Sequence, residues 1–205
     1  MIIKAIATGM IEENCYIVMD ENTNEGFLVD PGADAEILAS AVENMKMKPK
    51  FILLTHGHWD HVGAVVELKD RFNIPFYISK NDNDMIQSGQ DTYGSTPNPD
   101  GYLKEGDTFK FANKTISVIE TPGHTPGGVC FLVDKSLFTG DTLFNGTIGR
   151  TDFVGGSFET LVSSVRGKLA ILPEDIKVYP GHGPSTTIGL EKRHNPYILG
   201  DNYVY

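Results

Sequence analysis

The chain has 205 residues, 40% hydrophobic and 21% charged, enough for one substantial core and too few for two ordinary domains to be the default. Its 17 basic and 27 acidic residues leave a formal charge of -10, which argues against a nucleic-acid backbone or an anionic membrane as the main partner. The N-terminus MIIKAIATGMIEENCY has no apolar run of signal-peptide length, and nothing downstream approaches the ~20 apolar residues of a membrane span, so a cytoplasmic location is expected.

From the N-terminus, IIKAIA (2–7), CYIVM (15–19) and FLVD (27–30) are short apolar runs separated by Asn, Glu and Gly, the pattern of a strand meander. Asp34 is placed to cap a helix in which Ile37, Leu38, Ala41, Val42 and Met45 recur at helical spacing until Pro49 ends it. FILL (51–54) predicts a buried strand running into THGHWDH (55–61), and Val62, Val65, Val66, Leu68 and Phe72 predict a second helix leading to the strand PFYIS. SGQDTYGSTPNPDG (88–101) is the one long stretch without a period; a functional lid and a mobile surface excursion fit it equally. FKFANKTISVIE (109–120) reads as a hairpin turning at Asn113, and VCFLVD (129–134) and SLFTGD (136–141) as two further strands. Phe158, Leu161, Val162, Val165 and Leu169 line one face of a third helix starting near Ser157, and KVYP reads as the last strand. FLVD recurs at 27–30 and 131–134, a hint of two related halves. Cys15 and Cys130 lie in apolar runs and are expected to be buried free thiols rather than a disulfide.

THGHWDH crowds three of the six histidines and an aspartate into seven residues after an apolar strand. Imidazole and carboxylate hold hard or borderline metal ions, and this spacing can aim four donors into one cleft. More donors sit at other strand ends. ISVIETPGH delivers His124 and KVYPGH delivers His182 through a shared Pro-Gly-His, in which proline stiffens the approach and glycine lets the backbone turn; SLFTGD delivers Asp141. Structural zinc is closed by four ligands, commonly including cysteine, whereas seven nitrogen and oxygen donors without cysteine fit two cations with room for solvent. His56, His58 and His124 would hold one ion, Asp60, His61 and His182 the other, and Asp141 would bridge them. His194, in LEKRHNPY, lacks such a context and is expected at the surface or in packing.

T-H-x-H-x-D-H after a strand, a later strand-end His, a G-D and a final G-H resemble the metallo-β-lactamase superfamily across nearly the whole chain. The resemblance implies an α/β, four-layer αββα sandwich of two mixed β-sheets flanked by helices, with the metals in a groove at one sheet edge; periodicity alone gives only mixed α/β. Asp30 in LVDPG matches the superfamily's early Asp, which supports the site from behind its ligands, although a turn-forming Asp before Pro31 fits the same letters. Within the superfamily, His61 and Asp141 stand where true lactamases commonly carry other residues, so antibiotic hydrolysis is set aside. Flavin-linked diiron relatives carry Glu at the place of His58. GDTLFNGTIGRTDF is similar to glyoxalase II, in which a basic residue in the place of Arg150 helps hold the substrate. Asp152 replaces the glutathione-contacting Tyr of the longer enzymes, and the chain ends shortly after His182. A short, single-domain (1–205) glyoxalase II-like hydrolase without the C-terminal helical glutathione-binding domain is therefore expected.

That resemblance implies hydrolysis of an S-acyl thiol, such as S-lactoylglutathione to lactate and glutathione. Two divalent ions, zinc first with iron or manganese also accepted, would lower the pKa of a bound water to around 7 and so generate a hydroxide nucleophile. Asp60 and Asp141 are the acidic residues expected at the reacting centre, Asp60 chiefly as a ligand, with Arg150 on the substrate carboxylate. The expected partner is a small-molecule acyl-thiol, with no nucleic acid and no membrane. Two rivals come from other classes: a persulfide dioxygenase with one iron held by His56, His124 and Asp141, and a non-catalytic metal-binding domain.

Overall fold

The computed structural model describes residues 1–200. Strand β1 (Ile2–Thr8) pairs antiparallel with β2 (Glu13–Met19), and β2 with β3 (Glu25–Val29). Alternation along β2 sets the layering. Cys15, Ile17 and Met19 enter one cluster of buried residues, Tyr16 and Val18 another, so the strand is apolar on both faces and needs a cover on each. The chain continues through α1 (Ala35–Asn44), β4 (Lys48–Leu53), the single turn α2 (Trp59–Val62), α3 (Val65–Phe72), β5 (Phe76–Ser79), α4 (Lys80–Gln87) and β6 (Gly101–Leu103). β3 to β6 pair in parallel, completing a mixed six-stranded sheet in chain order. Parallel neighbours require crossovers, and α1 and α3 bury Leu38, Val42, Val65 and Leu68 against the Cys15 and Ile17 face.

The second sheet uses β7 (Thr108–Phe111), β8 (Lys114–Glu120), β9 (Val129–Val133) and β10 (Ser136–Gly140). A small hairpin, β11 (Leu143–Phe144) and β12 (Thr147–Ile148), and helix α5 (Phe158–Ser164), which widens into a π turn over Val165–Leu169, lead to β13 (Lys177–Pro180) and β14 (Thr186–Thr187). Helices α6 (Ile188–His194) and α7 (Pro196–Leu199) follow. The order is β14-β13-β10-β9-β8-β7, with β10 and β13 parallel and the other neighbours antiparallel. Between the sheets, Phe27, Val29, Phe51 and Leu53 meet Phe111, Val118, Phe131 and Phe138. Outside the second sheet, Leu161, Val165 and Leu169 pack on Cys130, Leu137 and Val178. These three apolar layers make the expected αββα sandwich of the metallo-β-lactamase fold.

The β10/β13 register steps from Phe138 opposite Tyr179 to Gly140 opposite Pro180, so Thr139 is an extra residue on β10 immediately before Asp141. The two FLVD segments occupy equivalent places, each ending the third strand of an antiparallel meander. Both of their aspartates adopt left-handed backbone, Asp30 with φ 47° and Asp134 with φ 51°. Burial separates their fates: Asp30 is buried at the site, while Asp134 is exposed and pairs with Lys114 at 2.6 Å.

Several elements depart from the sequence expectation. Asp34 occupies the N-cap position of α1 but caps nothing there; its left-handed backbone (φ 53°) sends Oδ2 to accept from the Gly9 N–H at 2.9 Å. The helix expected over 62–72 breaks at Gly63 and Ala64, so Trp59, Asp60 and His61 form their own turn. α4 had no apolar period to announce it, since KNDNDMIQ offers only Met85 and Ile86. KVYP is not the last strand, because β14 pairs beyond it. The hairpin turns next to Asn113 as expected, with Ala112 in left-handed backbone. The 88–101 stretch packs against the site: the Trp59 N–H donates to the Thr92 carbonyl at 3.3 Å, and buried Tyr93 lays its ring 4.9 Å from that of His58. Cys15 and Cys130 are buried free thiols, His194 is exposed, and no helix among the described residues is long and apolar enough to cross a membrane.

Candidate metal centre

Strand ends from both sheets deliver all seven expected donors to one edge of the sandwich. His56, His58, Asp60 and His61 follow β4, His124 follows β8, Asp141 follows β10 and His182 follows β13. One nitrogen each from His56, His58 and His124 lies within 4.8 Å of the others, and the same holds for ligand atoms of Asp60, His61 and His182. Asp141 stands between the trios, Oδ1 3.4 Å from His61 Nε2 and Oδ2 3.5 Å from His124 Nε2. Gly181 must lack a side chain here, since a Cβ would collide with Asp141 Oδ1 and His61 Cε1.

Hydrogen-bond accounting fixes which nitrogen three of the rings, His56, His61 and His124, turn inward. The Thr55 hydroxyl donates to Asp30 Oδ2 at 2.6 Å, so it can only accept from His56 Nδ1 at 3.1 Å, leaving His56 Nε2 as the free lone pair. His61 donates Nδ1–H to Asp30 Oδ2 at 3.1 Å, and His124 donates Nδ1–H to the Arg150 carbonyl at 2.6 Å, so both present Nε2. His58 instead turns Nδ1 toward His124 Nε2, 2.9 Å away. His182 Nε2 lies 3.2 Å from Asp60 Oδ2. His56 Nε2, His61 Nε2 and Asp141 Oδ1 are buried without a hydrogen-bond partner, a costly arrangement that a cation would relieve. The donors therefore fit a pair of divalent ions. Asp30 also lies near His56 and His61, but Thr55 N–H, Thr55 O–H and His61 N–H already occupy its oxygens, so it orients these rings from behind, the role the family resemblance implied beside a plain turn-forming one.

Without metal the donors divide by protonation: His56 and His58 are neutral, while His61 and His182 are shifted toward the protonated form, so a cation would displace a proton there. Burial and the neighbouring imidazoles hold His56 well below the usual histidine range and push His58 down to about 3, leaving both neutral. Burial opposes charge on His61, but Asp141 and Asp30 outweigh it and hold that ring well above its ordinary value. Burial would raise Asp141, yet His61, His124 and His182 keep it far below the carboxylate range; Asp60 is lowered against burial by His182 and His61.

The donors floor a groove of about 490 Å³ walled by Ile11, Trp59, Phe144 and Phe153, with Thr92 and Arg150 at its side. Arg150, expected on the substrate carboxylate, is paired within the chain: Nε and a terminal nitrogen donate to Asp152 at 2.7 and 2.6 Å, and the guanidinium stacks 4.1 Å above Phe153. Both members of that pair are exposed, so a substrate carboxylate could compete for the guanidinium at small cost. Sequence reasoning missed two buried carboxyls behind the donors. Glu13 accepts from the Thr8 hydroxyl at 2.9 Å and places Oε1 3.8 Å from His61 Nδ1; burial raises its pKa well above the usual value. Asp82 lies behind His56, His58 and His124, and its only signal in the sequence is Ser79-x-x-Asp82, a helix-start pattern.

The profile of the metallo-beta-lactamase superfamily matches residues 9–182. The hydroxyacylglutathione hydrolase GloC of Haemophilus influenzae is 41% identical, with 97% of this chain and 98% of that protein aligned. Among solved structures, BLEG-1, described as a B3 metallo-beta-lactamase, superposes with a TM-score of 0.90 at 37% identity, covering 97% of this chain and 100% of its own. TTHA1623 in a di-iron-bound form superposes with a TM-score of 0.83 at 35% identity, covering 95% and 99%.

Proposed function

The chain belongs to the metallo-beta-lactamase superfamily, and from that premise we propose that this metal-binding hydrolase cleaves S-acyl thiols, such as S-lactoylglutathione, to a hydroxy acid and a free thiol. The observation that carries the reading is Asp141, which lies between the trios with Oδ1 3.4 Å from His61 Nε2 and Oδ2 3.5 Å from His124 Nε2 and 3.8 Å from His182 Nε2. His56, His58 and His124 would hold one cation and Asp60, His61 and His182 the second, with Asp141 placed between them. Zinc is the first candidate, with iron or manganese accepted by the same donors; the di-iron form of TTHA1623 supports a two-metal centre. When bound, the two ions supply an acidified water and a Lewis acid for the thioester carbonyl.

The chain's own residues do the rest. The apolar groove walls flank the acyl group, while Arg150 exchanges Asp152 for the substrate carboxylate. Asp60, ionised and held beside His182, serves as a ligand and a station for the proton released by the attacking water. A thiol leaves readily because its pKa is near 8.5, so no strong general acid is needed. The two buried free thiols support a reducing, cytoplasmic setting.

A second reading, β-lactam hydrolysis, is favoured by the description of BLEG-1, although the sequence pattern set it aside. One experiment decides. Chelator-stripped protein is reloaded with Zn²⁺ and assayed for thiol release from a thioester panel and for opening of a β-lactam panel. Metal-dependent thiol release with at most slow lactam opening supports the thioester reading; the reverse ranking sinks it. One iron per chain with thiol-dependent oxygen consumption would instead make the protein a dioxygenase.

A further inference from the structure

Asp82 is fully buried on the first turn of α4, where its N–H donates to the Ser79 cap at 3.3 Å. Its carboxylate points away from that cap. Oδ2 accepts from the Gly57 N–H at 2.9 Å and from the Thr125 hydroxyl at 2.8 Å, and Oδ1 accepts from the Gly127 N–H at 2.7 Å. Gly57 lies between His56 and His58, and Thr125 follows His124. One oxygen atom thus joins two loops that leave different sheets and together carry a complete donor trio. Helical propensity does not require this. Burying a carboxylate is unfavourable unless donors replace its water, and burial pushes Asp82 up to about 6 despite its three hydrogen bonds. A feature retained at that cost, aimed at two ligand loops, has a task at the site.

The other trio is fastened independently. Asn14 Nδ2 donates to the Pro180 and Gly183 carbonyls at 3.1 and 3.0 Å, its N–H donates to the Gly181 carbonyl at 2.7 Å, and the Tyr16 hydroxyl donates to the Pro180 carbonyl at 2.6 Å. These bonds tie the His182 loop to β2 and touch neither Gly57 nor Thr125.

We infer that Asp82 is a positioning residue dedicated to the His56, His58 and His124 site, setting the separation of His58 from His124 without touching metal or substrate, while Asn14 performs the same service for the His182 loop. The inference rests on the reading that each trio holds a cation. It is tested on the full chain, stripped with chelator and titrated with Co²⁺ by visible absorption and with Zn²⁺ by calorimetry. Asp82→Asn, Thr125→Val and Asn14→Ala are compared with wild type, and His58→Ala identifies which equivalent belongs to which trio. Asp82→Asn gives the carboxylate's donors an amide that can accept at only one atom; Thr125→Val removes a single bond at nearly constant shape and decides the matter if the first variant fails to fold.

Both are expected to weaken the equivalent lost in His58→Ala by about 10- to 100-fold, the range for outer partners of metal ligands, and to leave the other in place. Asn14→Ala does the converse. Equal weakening of both equivalents by Asp82→Asn, or unchanged binding in Thr125→Val, overturns the assignment. A wild-type chain that takes up no Co²⁺ fails at the earlier step, the two-cation reading itself, and the inference falls with it.

Discussion

His61 donates Nδ1–H to Asp30 Oδ2 at 3.1 Å, and that bond turns its other nitrogen toward Asp141, 3.4 Å away. The same Asp30 oxygen accepts from Thr55, which orients His56, so one carboxylate steers a ring in each trio. Asp30→Asn places an amide N–H against donors it cannot satisfy. Zn²⁺ affinity should fall about 10- to 100-fold at both sites, read by competition with a chromophoric chelator. Unaltered affinity would show that His61 is held by its packing alone.

Arg150 is predicted to act on substrate binding. An exposed charge-assisted contact is screened by solvent and changes affinity only a few-fold, on the order of fivefold at most. Arg150→Ala should therefore raise KM a few-fold for an acyl group or thiol carrying a carboxylate, leave kcat nearly unchanged, and barely affect a neutral thioester. Asp152→Ala, which frees the guanidinium, should lower KM for the same anionic substrate. Steady-state kinetics on matched charged and neutral substrates checks both, and a KM that ignores substrate charge refutes the assignment.

Much of the site was legible because metal ligands at strand ends leave a local mark: an apolar run, a turn residue, then His or Asp. His56, His124, Asp141 and His182 all follow that grammar, and their convergence required only that the sheets share an edge. Asp30 was visible through LVDPG, since a left-handed turn after a strand suits an aspartate. Asp82 and Glu13 were not legible as site residues. Their partners are backbone groups and hydroxyls remote in sequence, and neither burial nor such pairings can be read from a polar helix or from the letters EEN. For similar reasons α4, α6 and α7 escaped the helical count: each is short and held by a side-chain cap, Ser79, Thr187 or Asn195, rather than by a long apolar stripe.

Phe138 bears on stability rather than chemistry. It is fully buried between the sheets, with its ring 5.2 Å from both Tyr16 and Tyr179. Phe138→Ala should cost about 3–5 kcal/mol, which at about 2–4 °C per kcal/mol for a chain of this size lowers Tm by roughly 10 °C. The loss should be of similar size with and without bound metal; a loss confined to the loaded form would mean that Phe138 acts through the site instead of through the core.

The cysteines give a sharp chemical test. Both are buried, and burial pushes Cys130 up to about 12 and Cys15 well above the usual thiol range, so neither forms thiolate near pH 8. A chromogenic disulfide reagent at pH 8 should modify neither in the native protein and both after denaturation. Rapid modification of the folded chain would contradict the packing around β2 and β9.

The extra residue Thr139 in β10 has an evolutionary corollary. Side chains alternate along a strand, so the direction taken by Asp141 depends on how many residues precede it as much as on any neighbour it meets. A chimera that grafts this strand without its surplus position would point the carboxylate at the opposite side of the sheet, leaving every histidine intact yet the two halves of the centre unconnected. Insertions and deletions in this segment should accordingly be rarer among functional descendants than substitutions at the same place.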